Sequence, residues 1–506
     1  MKQSYILTIL LALVFLSSCK GVSSQEGVTE VQHQQANAQA LSSQIVLLVN
    51  NSRFDLVASR VEGPFGTMFA YNNQFPGPLL KVAQGSTVQV NVTNNLDMPT
   101  SVHWHGLRLE NEYDGAAGLT QDEIMPKMSF NYVLSFPDSG IYWYHAHVRE
   151  DVQQERGLYG AILIEAQNSS YNNVDQEEVL LLDDVALDGS TLEKFGAVAD
   201  HALMGRFGNV MVVNGQTNYS LSVRAAEVVR FYFIDAANTR VFNVSIKSHL
   251  LKVVGSDGGL LERDYFANST VVAPGERSTV EVLFDAPGTY QVMHKTPESE
   301  YVLGSIVVEG TLKNRPEFEK RARHPEVTTS IDPVRMYFNN SPDIHIDAFV
   351  EMGHGGMMMG EQSNGMMRAQ TGEIEWEDDM VMMNRMSTSK TVRWVLKDEE
   401  SGLENMDLNY SVRVGDVKLI RINNDPTRVH PMQHPLHLHG QRFLVLRQNG
   451  VENKDLAWKD TVLVTPGVTD ILVQFTNEGK WMFHCHIAEH LESGMMTTFY
   501  VLPKGA

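Results

Sequence analysis

From about residue 43 to 310 the chain runs in short stretches where apolar and polar residues alternate. Examples are V-Q-V-N-V-T at 88–93, F-N-Y-V-L-S-F at 130–136, E-V-L-L-L-D-D-V at 178–185, V-V-R-F-Y-F-I at 228–234 and S-T-V-E-V-L-F at 278–284. Alternation with a period of two places one set of side chains on each face of a strand. Turn signals separate the stretches: F-P-G-P at 75–78, P-D-S-G at 137–140, A-P-G-E at 273–276 and A-P-G-T at 286–289. Short strands punctuated in this way predict an all-β chain of sandwich domains. One local grammar, a Pro-Gly turn followed by a strand containing G-x-Y, occurs at 137–144 and again at 287–290, which points to repeated domains. Residues 311–390 break the pattern with charged stretches and ten of the 24 methionines, between Met352 and Met386. The strand grammar returns from Thr391 to Leu502. Three sandwiches are therefore expected, at 43–168, 175–312 and 325–506, the last with a Met-rich insert at 352–386.

The amino terminus follows a different pattern. Lys2 is followed by an apolar run from Ile6 to Phe15 and then by Leu16-Ser17-Ser18-Cys19. This reads as an export signal over 1–19. The run is shorter than the roughly 20 residues a spanning helix needs, which argues against a transmembrane anchor. Leu-Ser-Ser-Cys also resembles a bacterial lipobox. That resemblance implies cleavage before Cys19, a lipid anchor on its sulfur and a periplasmic or cell-surface location, with Lys20 leaning towards the outer membrane. Residues 20–42 are small and polar and are expected to form a flexible tether. The formal net charge of −21 opposes binding to nucleic acid and favours cations or neutral organic substrates. The only other cysteine is Cys485, so an internal disulfide is not expected, and the remaining thiol is either buried or used.

Cys485 has company that suggests a use. Ten of the 18 histidines fall in four groups: H-W-H-G at 103–106, Y-H-A-H at 144–147, H-P-L-H-L-H-G at 434–440 and H-C-H-I-A-E-H at 484–490. Residues two apart on a strand share a face with Cα atoms roughly 6.5–7 Å apart, so each H-x-H pair can offer two imidazoles to neighbouring metals. His434, Cys485, His490 and Met495 supply two imidazoles, a thiolate and a thioether, the donor set of a blue-copper site. Adjacent residues on a strand point in opposite directions. His484 and His486 can therefore face a second site, where the remaining histidines gather three more coppers suited to four-electron reduction of O2. His486-Ile-Ala-Glu489-His490 also fits the H-x-x-E-H zinc-peptidase pattern. That alternative needs a helix and leaves Cys485 and eight other clustered histidines without a role.

The four motifs, their order and their spacing resemble those of three-domain multicopper oxidases, the family of laccases and bacterial cuprous oxidases. Y-N-N-Q-F-P-G-P at 71–78, D-G-A-A-G-L-T-Q at 114–121, V-N-G-Q at 213–216 and W-K-D-T-V at 458–462 add to the resemblance. It implies three cupredoxin-like Greek-key sandwiches and four copper ions. Type 1 copper would be held by His434, Cys485, His490 and Met495, and type 2 by His103 and His437. The type 3 pair would be held by His105, His145, His147, His439, His484 and His486. The trinuclear cluster would lie between the first and third domains, with the middle domain as a spacer. Asp114 is the candidate for delivering protons to reduced oxygen. Some relatives carry a relay Glu just after the last His, where this chain has Leu491.

For the reducing substrate, the methionines of M-G-H-G-G-M-M-M-G at 352–360, Met366, Met367 and W-E-D-D-M-V-M-M-N-R-M at 376–386 are soft ligands that favour Cu(I). Glu377, Asp378 and Asp379 would draw in cations, and His354 is a candidate helper. A cuprous oxidase acting in copper tolerance is therefore expected. The alternatives are a segment whose methionines only pack against the sandwich, leaving a laccase-like phenol oxidase or an Fe(II) oxidase, and a copper-sequestering protein with no O2 reduction.

Overall fold

The computed structural model describes residues 38–167, 173–311, 315–353 and 372–505. The export signal, Cys19, most of the tether and the insert residues 354–371, His354 among them, lie outside the described residues. Among the described residues, strand pairing is already present before the expected boundary at 43. Ala38–Gln39 pairs in parallel with Arg53–Gly63, and Leu41 bridges Gln74, because the edge of the first sheet offers unpaired backbone groups to the entering chain.

Three pairs of sheets follow along the chain. The first pairs a five-stranded sheet around Arg53–Gly63, Thr87–Asn94 and Ser129–Ser135 with another holding Leu79–Ala83, Tyr159–Glu165, Gly140–Ala146 and Val102–His103. The second has a six-stranded sheet around Gln176–Val185, Glu227–Asp235 and Arg277–Phe284, faced by five strands around Gly288–Lys295. The third repeats this plan, with six strands around Val417–Asn424 and Gly467–Gln474 and five that include His434–Leu438 and Gly479–Cys485. Each pair encloses its own apolar core. In Thr87–Asn94 the alternation is literal, with Val88, Val90 and Val92 buried in the first core.

Several strands are buried on both faces, and at the joint of the first two domains the reason is plain. Gly140–Ala146 is buried along its whole length, as is nearly all of Glu227–Asp235, because the outer faces of their sheets meet. Ile141, Trp143, Tyr159 and Leu163 pack there against Leu181, Val185, Tyr232 and Ile234. Truncating a fully buried aromatic such as Trp143 costs about 3–5 kcal/mol, so this joint is a core in its own right.

The segment over 311–390, where the strand pattern lapses, contains helices. A 3-10 turn at Pro316–Glu319 is followed by a helix at Pro325–Ile331 and a further 3-10 turn at Asp332–Tyr337, with proline in the first turn of each. Ile331 and Val334 cover Leu419, Leu444, Leu446 and Leu472 on the outer face of the third domain. No helix among the described residues is long and apolar enough to cross a membrane.

Candidate metal centres

Strand His434–Leu438 lies antiparallel to Gly479–Cys485, with Leu436 opposite Cys485 and His437 opposite His484. This register sorts the histidines by face. His434, Leu436, Leu438 and Cys485 turn inward, whereas His437 and His484 turn outward. A short helix, Ala488–Glu492, brings His490 back over the thiol. The Nδ1 atoms of His434 and His490 each lie 3.7 Å from Cys485 Sγ. Met495 is fully buried in the same core, and its carbonyl accepts the Cys485 amide at 3.0 Å. The four residues expected together are together, roofed by Trp394, which stacks on His490 at 4.1 Å.

On the outward face eight imidazoles converge. His103 ends strand Val102–His103 and His105 lies in the turn after it, and His145 and His147 come from the end of Gly140–Ala146; these meet His437, His439, His484 and His486 of the third domain. His103 Nδ1 donates to the Asp114 carbonyl at 2.8 Å and His437 Nδ1 donates to the Asp460 carbonyl at 2.9 Å. A carbonyl only accepts, so both Nε2 atoms are bare lone pairs, yet they face each other at 3.3 Å. Two buried lone pairs aimed at one point require a cation between them. His147, His439 and His484 form a second group, in which His439 Nε2 and His484 Nε2 are 2.9 Å apart. His105, His145 and His486 form a third, with ring centroids 5.0–5.8 Å apart. His105 Nδ1, His145 Nε2 and both His486 nitrogens have no hydrogen-bond partner there. The donor sets fit copper: imidazole throughout the large cluster, and imidazole with thiolate and thioether at the small one.

The protonation states suit ligands. Burial first, then the neighbouring imidazoles, holds His103, His439 and His484 well below the usual histidine range, and His434 falls to about 3 by burial and His430. These rings are neutral and free to coordinate. Burial also pushes the Cys485 thiol up, so losing its proton goes together with binding a metal.

Asp114 is buried beside the cluster, and its Oδ2 lies 2.8 Å from His439 Nδ1. Its carbonyl holds His103, so it orients two candidate ligands as well as being placed to carry a proton. Burial raises its carboxyl well above the usual range. Other residues at the cluster escaped the motif reading. Asp460 Oδ1 accepts from His105 Nε2 at 3.1 Å, and Arg277 of the middle domain grips both Asp460 oxygens at 2.6 Å. Burial pushes the Asp460 carboxyl up, but Arg277 outweighs it and holds the group well below the usual range. Gly275 lies so close to His486 and His105 that an added Cβ would sit 2.9 Å from one ring and 3.1 Å from the other. The middle domain is thus more than a spacer. Glu150 places Oε1 3.2 Å from His147 Nε2, and Leu491 packs with Ala116 and Met482.

His486 and His490 belong to different clusters, which removes the zinc-peptidase alternative. Three models described as multicopper oxidase match residues 57–169, 143–305 and 357–505. The chain belongs to the multicopper oxidase family. Its relatives include the multicopper oxidase MmcO of Mycobacterium tuberculosis, 26% identical over 87% of this chain and 84% of that protein. A copper resistance protein A homolog of Pseudomonas syringae pv. tomato is 25% identical, covering 88% of this chain and 92% of its own length. A solved structure of a Campylobacter jejuni multicopper oxidase, described as a metallo-oxidase, superposes with a TM-score of 0.68. It is 22% identical and covers 93% of this chain and 98% of that one. As a member of the family this protein is a copper-binding oxidoreductase, and its β-sandwiches are cupredoxin-like.

Proposed function

We propose that this multicopper oxidase is a cuprous oxidase with four coppers, protecting the compartment outside the inner membrane from Cu(I) while lipid-anchored at Cys19. His434, Cys485, His490 and Met495 would hold the type 1 copper and His103 with His437 the type 2. His147, His439 and His484 would hold one type 3 copper, and His105, His145 and His486 the other. When bound, these coppers supply one-electron oxidation at the thiolate site and four-electron reduction of O2 to water at the histidine cluster. Cys485 joins the two sites covalently, since its sequence neighbours on both sides are cluster ligands. Its carbonyl also accepts from His484 Nδ1 at 2.9 Å, fixing that ring. The surrounding core excludes water from the thiolate. Asp114 holds His103 through its carbonyl and His439 through Oδ2, and its buried carboxyl is the candidate proton carrier.

One observation carries the choice of substrate. The helix Val381–Met386 is pinned over the type 1 ligands by Asn384, which accepts from the Met204 amide at 3.0 Å and donates to the Gly205 carbonyl at 2.8 Å. Ala202, Leu203 and Met204 pack in the same core as Cys485 and Met495. The helix nevertheless leaves Met382 76% and Met386 66% exposed, so these thioethers face solvent rather than fill the sandwich. Asp378 holds Asn384, and burial with Asp379 and Glu373 raises Glu375 to about 7, a sign of concentrated negative charge. Soft thioethers among carboxylates suit the capture of Cu(I). The copper resistance relative supports the same choice.

The test is the rate of oxidation of Cu(I), Fe(II) and a phenol by the copper-loaded protein and by the Met382→Leu/Met383→Leu/Met386→Leu variant. Leucine keeps the apolar bulk and removes the sulfur. Cu(I) oxidation is expected to fall at least tenfold with phenol oxidation unchanged. Equal effects on both, or none, would favour a laccase-like oxidase, and absence of O2 consumption would favour a sequestering protein.

A further inference from the structure

The guanidinium of Arg277, in the middle domain, sits at a point where residues of all three sandwiches meet. It is fully buried at the start of strand Arg277–Phe284. All five of its N–H bonds are used. Nε donates to the Ile141 carbonyl of the first domain at 3.2 Å. Nη1 donates to the Gly275 carbonyl at 3.1 Å and Nη2 to the Asp257 carbonyl at 3.0 Å, both within the second domain. The two remaining bonds go in parallel to the Asp460 carboxylate of the third domain, each at 2.6 Å. Charge-assisted bidentate pairs of this kind fix orientation as well as charge.

Asp460 is held so that it can control two ligands from different domains. Its Oδ1 accepts from His105 Nε2 at 3.1 Å and from the Thr461 hydroxyl at 2.9 Å, while its carbonyl accepts from His437 Nδ1 at 2.9 Å. A carboxylate locked by arginine only accepts, so the His105 proton stays on Nε2 and the lone pair on Nδ1. That nitrogen is the buried one without a hydrogen-bond partner. Space around the pair is as closely set as its bonds. Gly106, at φ +84°, passes so near that a Cβ would lie 2.5 Å from Asp460 Oδ2 and 2.6 Å from Arg277 Nη2.

We infer that Arg277 is a positioning residue of the trinuclear copper site, acting through Asp460 to set the tautomer and aim of His105 and the aim of His437. This rests on the copper assignment above. Without the arginine, Asp460 would be a buried charge lacking its counter-ion, free to rotate and release His105. Outer-shell partners of metal-bound histidines typically change metal affinity by roughly 10- to 100-fold. Lysine would be a poor substitute, being a point charge that cannot form the fork or serve three carbonyls together.

The experiment compares copper-loaded wild type with Arg277→Met, Arg277→Lys and the double variant Arg277→Met/Asp460→Asn. Copper per chain, blue absorption, the type 2 electron paramagnetic resonance signal and the rate of copper loss to a chelator are measured. In Arg277→Met the blue absorption is expected to remain, reporting an intact third domain. Copper per chain should drop towards one, and the chelator should strip the cluster at least tenfold faster. Arg277→Lys is expected to fall between this variant and wild type. Removing both charges should restore chelator resistance at least tenfold over Arg277→Met, because asparagine still accepts from His105. Full copper retention in Arg277→Met would overturn the inference. So would loss of the blue and cluster signals together in both single variants, or no recovery in the double variant. A wild-type protein that never takes up four coppers would instead refute the copper assignment itself.

Discussion

Glu155→Gln isolates one buried acid away from the histidine clusters and should remove that acid's share of the pH dependence of stability. Glu155 is 3% exposed, where the first domain meets the second. Its Oε1 accepts the Ala186 amide at 3.0 Å, and its Oε2 has no hydrogen-bond partner. Burial dominates its titration; Arg206 and the Ala186 bond oppose the shift, Asp184 and Glu489 add to it, and the result is about 8 against 4.5 in the open chain. The folded state therefore holds a proton that the unfolded state releases. The stability this group contributes is full below pH 4.5 and falls as pH rises towards 8, by about 1.4 kcal/mol per pH unit. The complete shift corresponds to about 5 kcal/mol, and a shift one unit smaller to about 3 kcal/mol. Glutamine keeps the acceptor for Ala186 and imitates the protonated acid. The variant should match wild type in thermal midpoint at pH 5 and exceed it by at least about 5 °C at pH 8, taking roughly 2 °C per kcal/mol for a large domain. The assay is a thermal denaturation series at fixed copper loading and scan rate from pH 5 to 9. A difference independent of pH, or one that shrinks as pH rises, would refute the reasoning.

Cys485→Ser should abolish the blue absorption while leaving three coppers in the histidine cluster, measured by metal analysis and by the type 2 resonance signal. Gly106→Ala should cost at least about 2 kcal/mol, since a methyl group must be forced against the Arg277–Asp460 pair in a backbone conformation that disfavours it; a thermal midpoint within a degree of wild type would contradict this. Cys19→Ala should move the protein from the membrane fraction to the soluble fraction of the cells producing it, as followed by immunoblot.

The residues of the candidate metal centres were legible because metal chemistry leaves dense local signals. H-P-L-H-L-H sorts itself by the period of a strand, sending His434 inward and His437 outward, and H-C-H does the same around Cys485. The alternation of Val88, Val90 and Val92 likewise gave the first core directly. Arg277 was invisible for the opposite reason. It stands 183 positions from Asp460 in an ordinary strand start, and nothing local marks a partner so distant. Asp460 drew notice only as part of a segment resembling the family, without its link to His105. Glu150 reads as one more acid at a helix start until the fold sets it beside His147. The helices over 316–337 were missed because a charged surface hides the few apolar residues, Ile331 and Val334, that anchor them.

The separation of the eight cluster histidines along the chain bears on how the enzyme matures. Four of them have been synthesised by residue 147, whereas the other four follow only from residue 437 onward. A growing chain therefore carries half a cage for most of its synthesis. Only when the carboxy-terminal strands close against the first sandwich does the second half arrive, so uptake of the full metal complement certifies a finished molecule.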